Sequence, residues 1–153
     1  MSLSKKNYSA LYKLQDKVME TLSGNYRSLY LTGGTALGRF YLDHRYSDDL
    51  DFFTNNDPAF KEIVNKIRAV LETKFNFLSD KIILYDQFIR LWVEEKNCEL
   101  KIEFVDDVAA RWGNPVFIRN ILIDNPGNIL ANKLTAIVGR DEPKDVFDII
   151  QLS

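Results

Sequence analysis

One cysteine, one histidine and four prolines are all that this 153-residue chain holds of the residues that most often staple, ligate or interrupt a small fold. The lone Cys98 excludes an internal disulfide and, with no second thiol, a cysteine-based zinc site; we expect it at a strand edge as a small residue. The lone His44 is a poor basis for a metal or triad assignment, and its place in a polar loop reads as structural or solvated. No apolar run approaches the ~20 residues that cross a bilayer, and the first residues, MSLSKKNYSALYKL, lack the apolar centre of a signal peptide. A cytoplasmic location without a membrane partner is the expectation. Neither charge dominates: 20 Lys and Arg against 22 Asp and Glu leave a net charge of -2, which argues against a globally basic nucleic-acid-binding surface. Dinucleotide and P-loop glycine patterns are missing, as are internal repeats and low-complexity linkers.

What is present suffices for one globular domain over residues 1–153, since 46% of the chain is hydrophobic and 27% charged. Leu11, Leu14, Val18 and Leu22 recur at spacings of three and four, predicting a first helix that Gly24 ends. Tyr26 to Leu31 reads as a strand and Ala36 to Leu42 as a second helix. Asp57 as N-cap and Pro58 at the first position predict a third helix, with Phe60, Ile63, Val64, Ile67, Val70 and Leu71 inward. Lys81 to Tyr85, Phe88 to Glu94 and Glu99 to Val105 are rich in branched and aromatic residues and closely spaced, which predicts an antiparallel meander. In the last of them Leu100, Ile102 and Phe104 face the core, and Glu99, Lys101 and Glu103 face away. Val116 to Ile123 reads as an extended edge segment. Pro126 to Val138 reads as a helix with Ile129, Leu130, Leu134 and Ile137 inward and Lys133 beside that stripe; Pro143 begins a last helix. Trp92 and Trp112 read as core residues. The sum is an α+β fold, a mixed β-sheet packed with helices.

The chemistry gathers in Leu29 to Phe53, LYLTGGTALGRFYLDHRYSDDLDFF. Gly33 and Gly34 follow a short apolar strand and let the backbone turn with bare amides before Thr35 opens a helix, an arrangement suited to phosphate. Asp49-Leu50-Asp51-Phe52-Phe53 alternates polar and apolar, so as a strand it carries both carboxylates on one face. Carboxylates so spaced can bridge two hard cations about 4 Å apart, and an acid on a neighbouring strand can complete the site. Glu103 is the candidate third acid. Ser47 reads as a turn residue fixing the approach to Asp49, with no histidine and acid arrangement to make it a nucleophile, and Asp48 reads as solvated.

GGTALGRFYLDHRYSDDLDFF resembles the signature of the AbiEii/AbiGii toxin-type nucleotidyltransferases, in which GGTAL, a short helix and HRxSxDIDLF follow one another. That family belongs to the polymerase-β-like nucleotidyltransferase superfamily. Leu100 to Val105 is similar to its strand bearing the third acid, Ile129 to Ala136 to its A-x-K-L-x-A helix, and Arg140 with Lys144 to Asp148 to an R-D-x-x-D-L segment. The resemblance implies a nucleotidyltransferase-like fold, with Asp49, Asp51 and Glu103 as catalytic residues and ligands of two Mg2+ ions. It implies nucleotide binding by Gly33, Gly34, Thr35, Lys133, Lys144 and Asp145, with Asp148 matched more loosely. Two positions depart from the pattern: Glu103 stands where Asp is common, and Lys144 stands where Arg is usual and cannot make arginine's bidentate contact. Members of the family are usually much longer, so the chain reads as a short member or part of one. The implied activity is transfer of NMP from an NTP to a hydroxyl, on a tRNA 3′ end or a protein, by the toxin of a toxin–antitoxin or phage-defence pair with a cognate antitoxin. An inactive nucleotide-binding or interaction module derived from the same fold is the expectation from a different class.

Overall fold

The computed structural model describes residues 7–23, 26–43, 45–111 and 113–139, with the side chains of 136–139 excepted. Helix α1, Tyr8–Leu22, is capped by the Asn7 side chain, which accepts from the Ala10 amide, and buries Leu11, Leu14, Val18, Met19 and Leu22. Strand β1, Tyr30–Thr32, runs directly into α2, Gly33–Ala36, which widens into a π-helical turn over Leu37–Leu42 and stops at Asp43 in a left-handed conformation. β2 is Leu50–Asn55 and α3 Phe60–Lys74. Short strands β3, Asn76–Phe77, and β4, Ile83–Leu84, precede the long pair β5, Phe88–Glu95, and β6, Cys98–Asp107. β7, Val116–Ile118, and β8, Ile121–Ile123, lead to α4, Pro126–Gly139.

These strands form one mixed sheet in the order β3-β5-β6-β2-β1-β8-β7, with β4 sharing the β5 edge with β3. β2 runs parallel to β6 and β1 parallel to β8, while the other pairs are antiparallel. Strict alternation sets the two faces. Leu31, Leu50, Phe52, Ile89, Leu91, Val93, Leu100, Ile102 and Phe104 lie on the closed face, buried in one cluster with the apolar stripes of α1 and α3. Phe52 and Phe104 stack there, with ring centroids 5.6 Å apart. The open face carries the alternate residues of the same strands, the acids among them, so a single hydrophobic layer fixes where every acid of the motif points.

The expected α+β class is found, as are a first helix ending at Leu22, a helix opening at Pro126 and the antiparallel β4, β5 and β6. Several local expectations are corrected. The third helix starts at Phe60 because Asp57 caps a turn instead, its side chain accepting from the Ala59 amide. Val70 and Leu134 are exposed at 39% and 51%, on the solvent edges of their stripes. Lys81 belongs to a 3-10 turn over Ser79–Lys81 rather than to a strand, and Asn76–Phe77 supplies the second partner on that edge. Residues 116–123 form a hairpin instead of one edge segment, because Arg119 and Asn120 both adopt positive φ. Cys98 stands half-buried at the start of β6. His44, Trp112, the Gly24 stop and the helix after Pro143 lie outside the described residues.

Replacing Phe104 with Ala removes a fully buried ring and its stacking partner, and should lower unfolding stability by about 3–5 kcal/mol in chemical denaturation. A loss under about 1 kcal/mol would contradict the single packed layer.

Candidate active site

The open face is ordered in ranks by strand register. Thr32, Asp51, Glu103 and Arg90 are successive partners across β1, β2, β6 and β5. The next rank is Tyr30, Phe53, Val105 and Phe88. On the other side Lys101 pairs in register with Trp92, and its ammonium reaches the Asp49 carboxylate at 3.2 Å. The alternation read from the sequence therefore brings Asp49, Asp51 and Glu103 to one face.

The glycine turn meets that rank directly. Gly33 adopts φ +73°, and a Cβ there would lie 2.8 Å from Asp51 Oδ2. Only glycine allows both the turn and this approach of the carboxylate. A Cβ on Gly34 would collide with the Arg45 guanidinium and come within 3.2 Å of Ser47 Oγ. Gly33, Gly34, Arg45, Ser47, Asp49, Asp51, Glu103 and, from α4, Lys133 line one cavity of about 720 Å³. Thr35 is different. Its side chain is fully buried, and its hydroxyl bonds to Ser47 Oγ at 2.8 Å and to the Asp49 carbonyl, tying the helix to the acid-bearing strand. Lys144, Asp145 and Asp148 lie outside the described residues.

Residues without a motif hold this arrangement. Gln15 on α1 is fully buried; its amide donates to the Ser47 and Asp48 carbonyls at 3.0 and 3.2 Å and accepts from Arg39 at 3.1 Å. The Ser47 amide donates to the Tyr12 hydroxyl at 3.1 Å. Asp48, expected in solvent, is half-buried; its carboxylate accepts a hydrogen bond from Tyr8 and, with burial, pushes that phenol up to about 12. Asp124, after β8, is completely buried, and its carboxylate takes four donors. It accepts from Thr32 Oγ1 at 2.7 Å, Asn128 Nδ2 at 2.8 Å, its neighbouring Asn125 amide at 3.0 Å and Arg111 Nη2 at 2.5 Å. The Arg111 guanidinium lies over Tyr30, 4.5 Å from the ring centroid. Burial first, and then the Asp124 charge, pushes the Tyr30 phenol up to about 12. A buried Asp or Gln with long-range partners has no sequence signature; the one available signal was Asp124 standing between an apolar strand and a helix-opening proline.

Asp49 and Asp51 offer hard oxygen donors on one wall of the cavity, a donor type that fits a divalent cation. Glu103 is engaged differently: its Oε2 accepts from Arg90 Nε at 3.1 Å and Nη2 at 2.9 Å, and its Oε1 lies 3.7 Å from Lys101 Nζ. Among the described residues, no three His, Cys, Asp or Glu side chains are gathered into a ready ligand set. Arg90 and Lys101 offset the repulsion of like charges in adjacent register positions.

The model of the nucleotidyl transferase AbiEii toxin family, type IV toxin–antitoxin system, matches residues 18–153. The chain belongs to this family. As an AbiEii family member it shares its fold with JHP933 from Helicobacter pylori, at 24% identity and a TM-score of 0.69, over 97% of this chain and 66% of that one. A second Helicobacter pylori structure, of a candidate nucleotidyltransferase, is similar at 23% identity and a TM-score of 0.69, over 95% and 67%. The Megavirus polyadenylate synthase is similar at 13% identity and a TM-score of 0.54, over 95% of this chain and 30% of that one. The chain thus spans about two thirds of the length of the two bacterial proteins. No curated protein matches it. Among the described residues no helix is long and apolar enough to cross a membrane.

Two expectations follow from these contacts. Replacing Lys101 with Met removes the ammonium that competes for Asp49 and should tighten Mg2+ binding roughly two- to fivefold in calorimetry; weaker binding would contradict the competition. The Tyr30 phenol keeps its proton longer in the folded state, so its contribution is full below pH 10 and is lost as pH rises towards about 12. Unfolding stability measured across that window should fall less steeply in Tyr30→Phe, and an identical slope would refute this.

Proposed function

We propose that this chain carries the catalytic centre of a toxin that transfers NMP from an NTP to a hydroxyl acceptor with the help of Mg2+. The observation that carries this reading is the contact between halves: the Asp51 carboxylate lies against Gly33, in a cavity that Lys133 and Arg45 also line. A triphosphate needs donors and positive charge at its outer end and carboxylate-held cations at its α-phosphorus, and this cavity is lined by both kinds of group. Gly33 and Gly34 bring backbone amides to the β- and γ-phosphates, with Arg45 and Lys133 supplying charge. Asp49 and Asp51 would hold the metal, which when bound activates the attacking hydroxyl and neutralises the leaving pyrophosphate. The acceptor oxygen forms a bond to the α-phosphorus as the bond to the bridging oxygen breaks; pyrophosphate leaves with that electron pair and the hydroxyl proton passes to water. Glu103, held by Arg90, extends the acid rank beside Asp51. A tRNA 3′ end or a protein is the acceptor in this reading, and a cognate antitoxin, which membership of a toxin–antitoxin family supports, is the partner.

A second reading, an inactive nucleotide-binding module, is favoured by one observation: Arg90 and Lys101 already compensate the acids. Pyrophosphate release separates the two, since binding of NTP without turnover supports the module. Under the leading reading, Asp49→Asn and Asp51→Asn each reduce labelled-nucleotide incorporation by on the order of 100-fold or more, with folding retained. Full activity in either variant would sink the metal assignment.

A further inference from the structure

We propose that Phe53, Val105 and Phe88 form a platform that stacks a nucleobase beside the acid rank, with Arg90 fixing its edge. The inference deepens the nucleotidyltransferase reading and rests on it.

The three residues are successive register partners across β2, β6 and β5, one rank beyond Asp51 and Glu103. All three line the same cavity as the acids and the glycine turn, and all three are only half-buried. Phe53 lies beside the buried Tyr30 of its own rank, ring centroids 6.4 Å apart, while Phe88 and Val105 stay half-open to the cavity although their closed-face neighbours Phe104 and Ile89 already fill the core. The flat, half-open surface suits a planar partner, and every nucleobase has a π-face. The Arg90 guanidinium lies 5.3 Å from the Phe88 ring centroid and is held by two hydrogen bonds to Glu103, which gives the platform a cationic edge of fixed orientation. Asp107, two residues past Val105, also lines the cavity and offers acceptor oxygens for an exocyclic amine.

Distance agrees with this use. From β1, which leads into the glycine turn, to β5, which carries Phe88, there are three strand spacings, roughly 14 Å. That span matches a nucleotide whose phosphates lie at the turn and whose base lies beyond the acids. It also fits the terminal base of an acceptor strand approaching from the β5 side. Both sources present the same chemistry, a nucleobase next to a reacting phosphate or hydroxyl.

The test compares wild type, Phe88→Ala, Phe88→Leu and Phe88→Trp for binding of inorganic tripolyphosphate, of each NTP and of a short single-stranded RNA with a free 3′ hydroxyl, all with Mg2+, alongside thermal unfolding. The leucine variant keeps apolar bulk without the aromatic face, and so guards against a folding defect in the alanine variant. The platform predicts that the alanine and leucine variants bind tripolyphosphate as wild type does, yet lose about tenfold in affinity for a base-bearing ligand, while the tryptophan variant retains it. A loss confined to NTP assigns the platform to the incoming nucleotide, and a loss confined to RNA assigns it to the acceptor. Unchanged affinity for both, or an equal loss for tripolyphosphate, overturns the platform and leaves the phosphate site standing. Wild type that binds neither tripolyphosphate nor NTP overturns the nucleotide reading and the platform with it.

Discussion

The approach of the Asp51 carboxylate to the bare backbone of Gly33 is the constraint on which the rest of the site depends. Any side chain at Gly33 would occupy the space of Asp51 Oδ2, and the positive φ of the turn is unfavourable for other residues. With glycine there, a phosphate held by the turn and a cation held by the acid can share one substrate. The antiparallel register of Thr32 with Asp51 produces this proximity, and the parallel register of Asp51 with Glu103 extends it to the next strand. Both registers are set from the opposite face, where slipping β2 by one residue would expose Leu50 and Phe52 and bury the acids.

Charge is balanced at two depths around that contact. On the open face Lys101 and Arg90 stand among the acids, partly solvated, where each ion pair contributes modestly. Below it, the ion pair of Arg111 with the fully buried Asp124 is hydrogen-bonded on every side, as a buried carboxylate requires. Through Thr32 and Asn128, Asp124 joins the strand before the glycine turn to the first turns of α4, the helix that carries Lys133. The buried network therefore fixes the spacing between the two sides of the cavity, while the surface pairs remain adjustable.

The parts of this arrangement that repeat with a period were legible in the sequence. Alternation in Asp49 to Phe53 and Glu99 to Phe104 gave the faces correctly, and Gly33-Gly34 marked the turn. The parts that depend on one distant partner were not. Nothing near Gln15 in the chain announces that its amide is buried, because the groups that satisfy it are 24 or more positions away, and for Asp124 the decisive partners Arg111 and Thr32 lie 13 and 92 positions away. Thr35 looked like part of the phosphate turn, yet its hydroxyl faces inward to Ser47 and Asp49. Lys101 was read as an outward-facing residue of its strand and Arg90 was not singled out; their pairing to Asp49 and Glu103 follows only from the order of β5, β6 and β2 in the sheet. Val70 and Leu134 show the limit of the helical stripe, whose edge positions can turn either to core or to solvent.

If the glycine turn and the acid act as one unit, their contributions to nucleotide binding are coupled. A double-mutant cycle of Gly33→Ala and Asp51→Asn on the affinity for Mg2+ with NTP measures that coupling directly. The account predicts a non-additive cycle, with a coupling of about 1 kcal/mol or more because each change already spoils the shared contact. Additivity within about 0.3–0.5 kcal/mol would contradict it, leaving a turn and an acid that are close in space and independent in action.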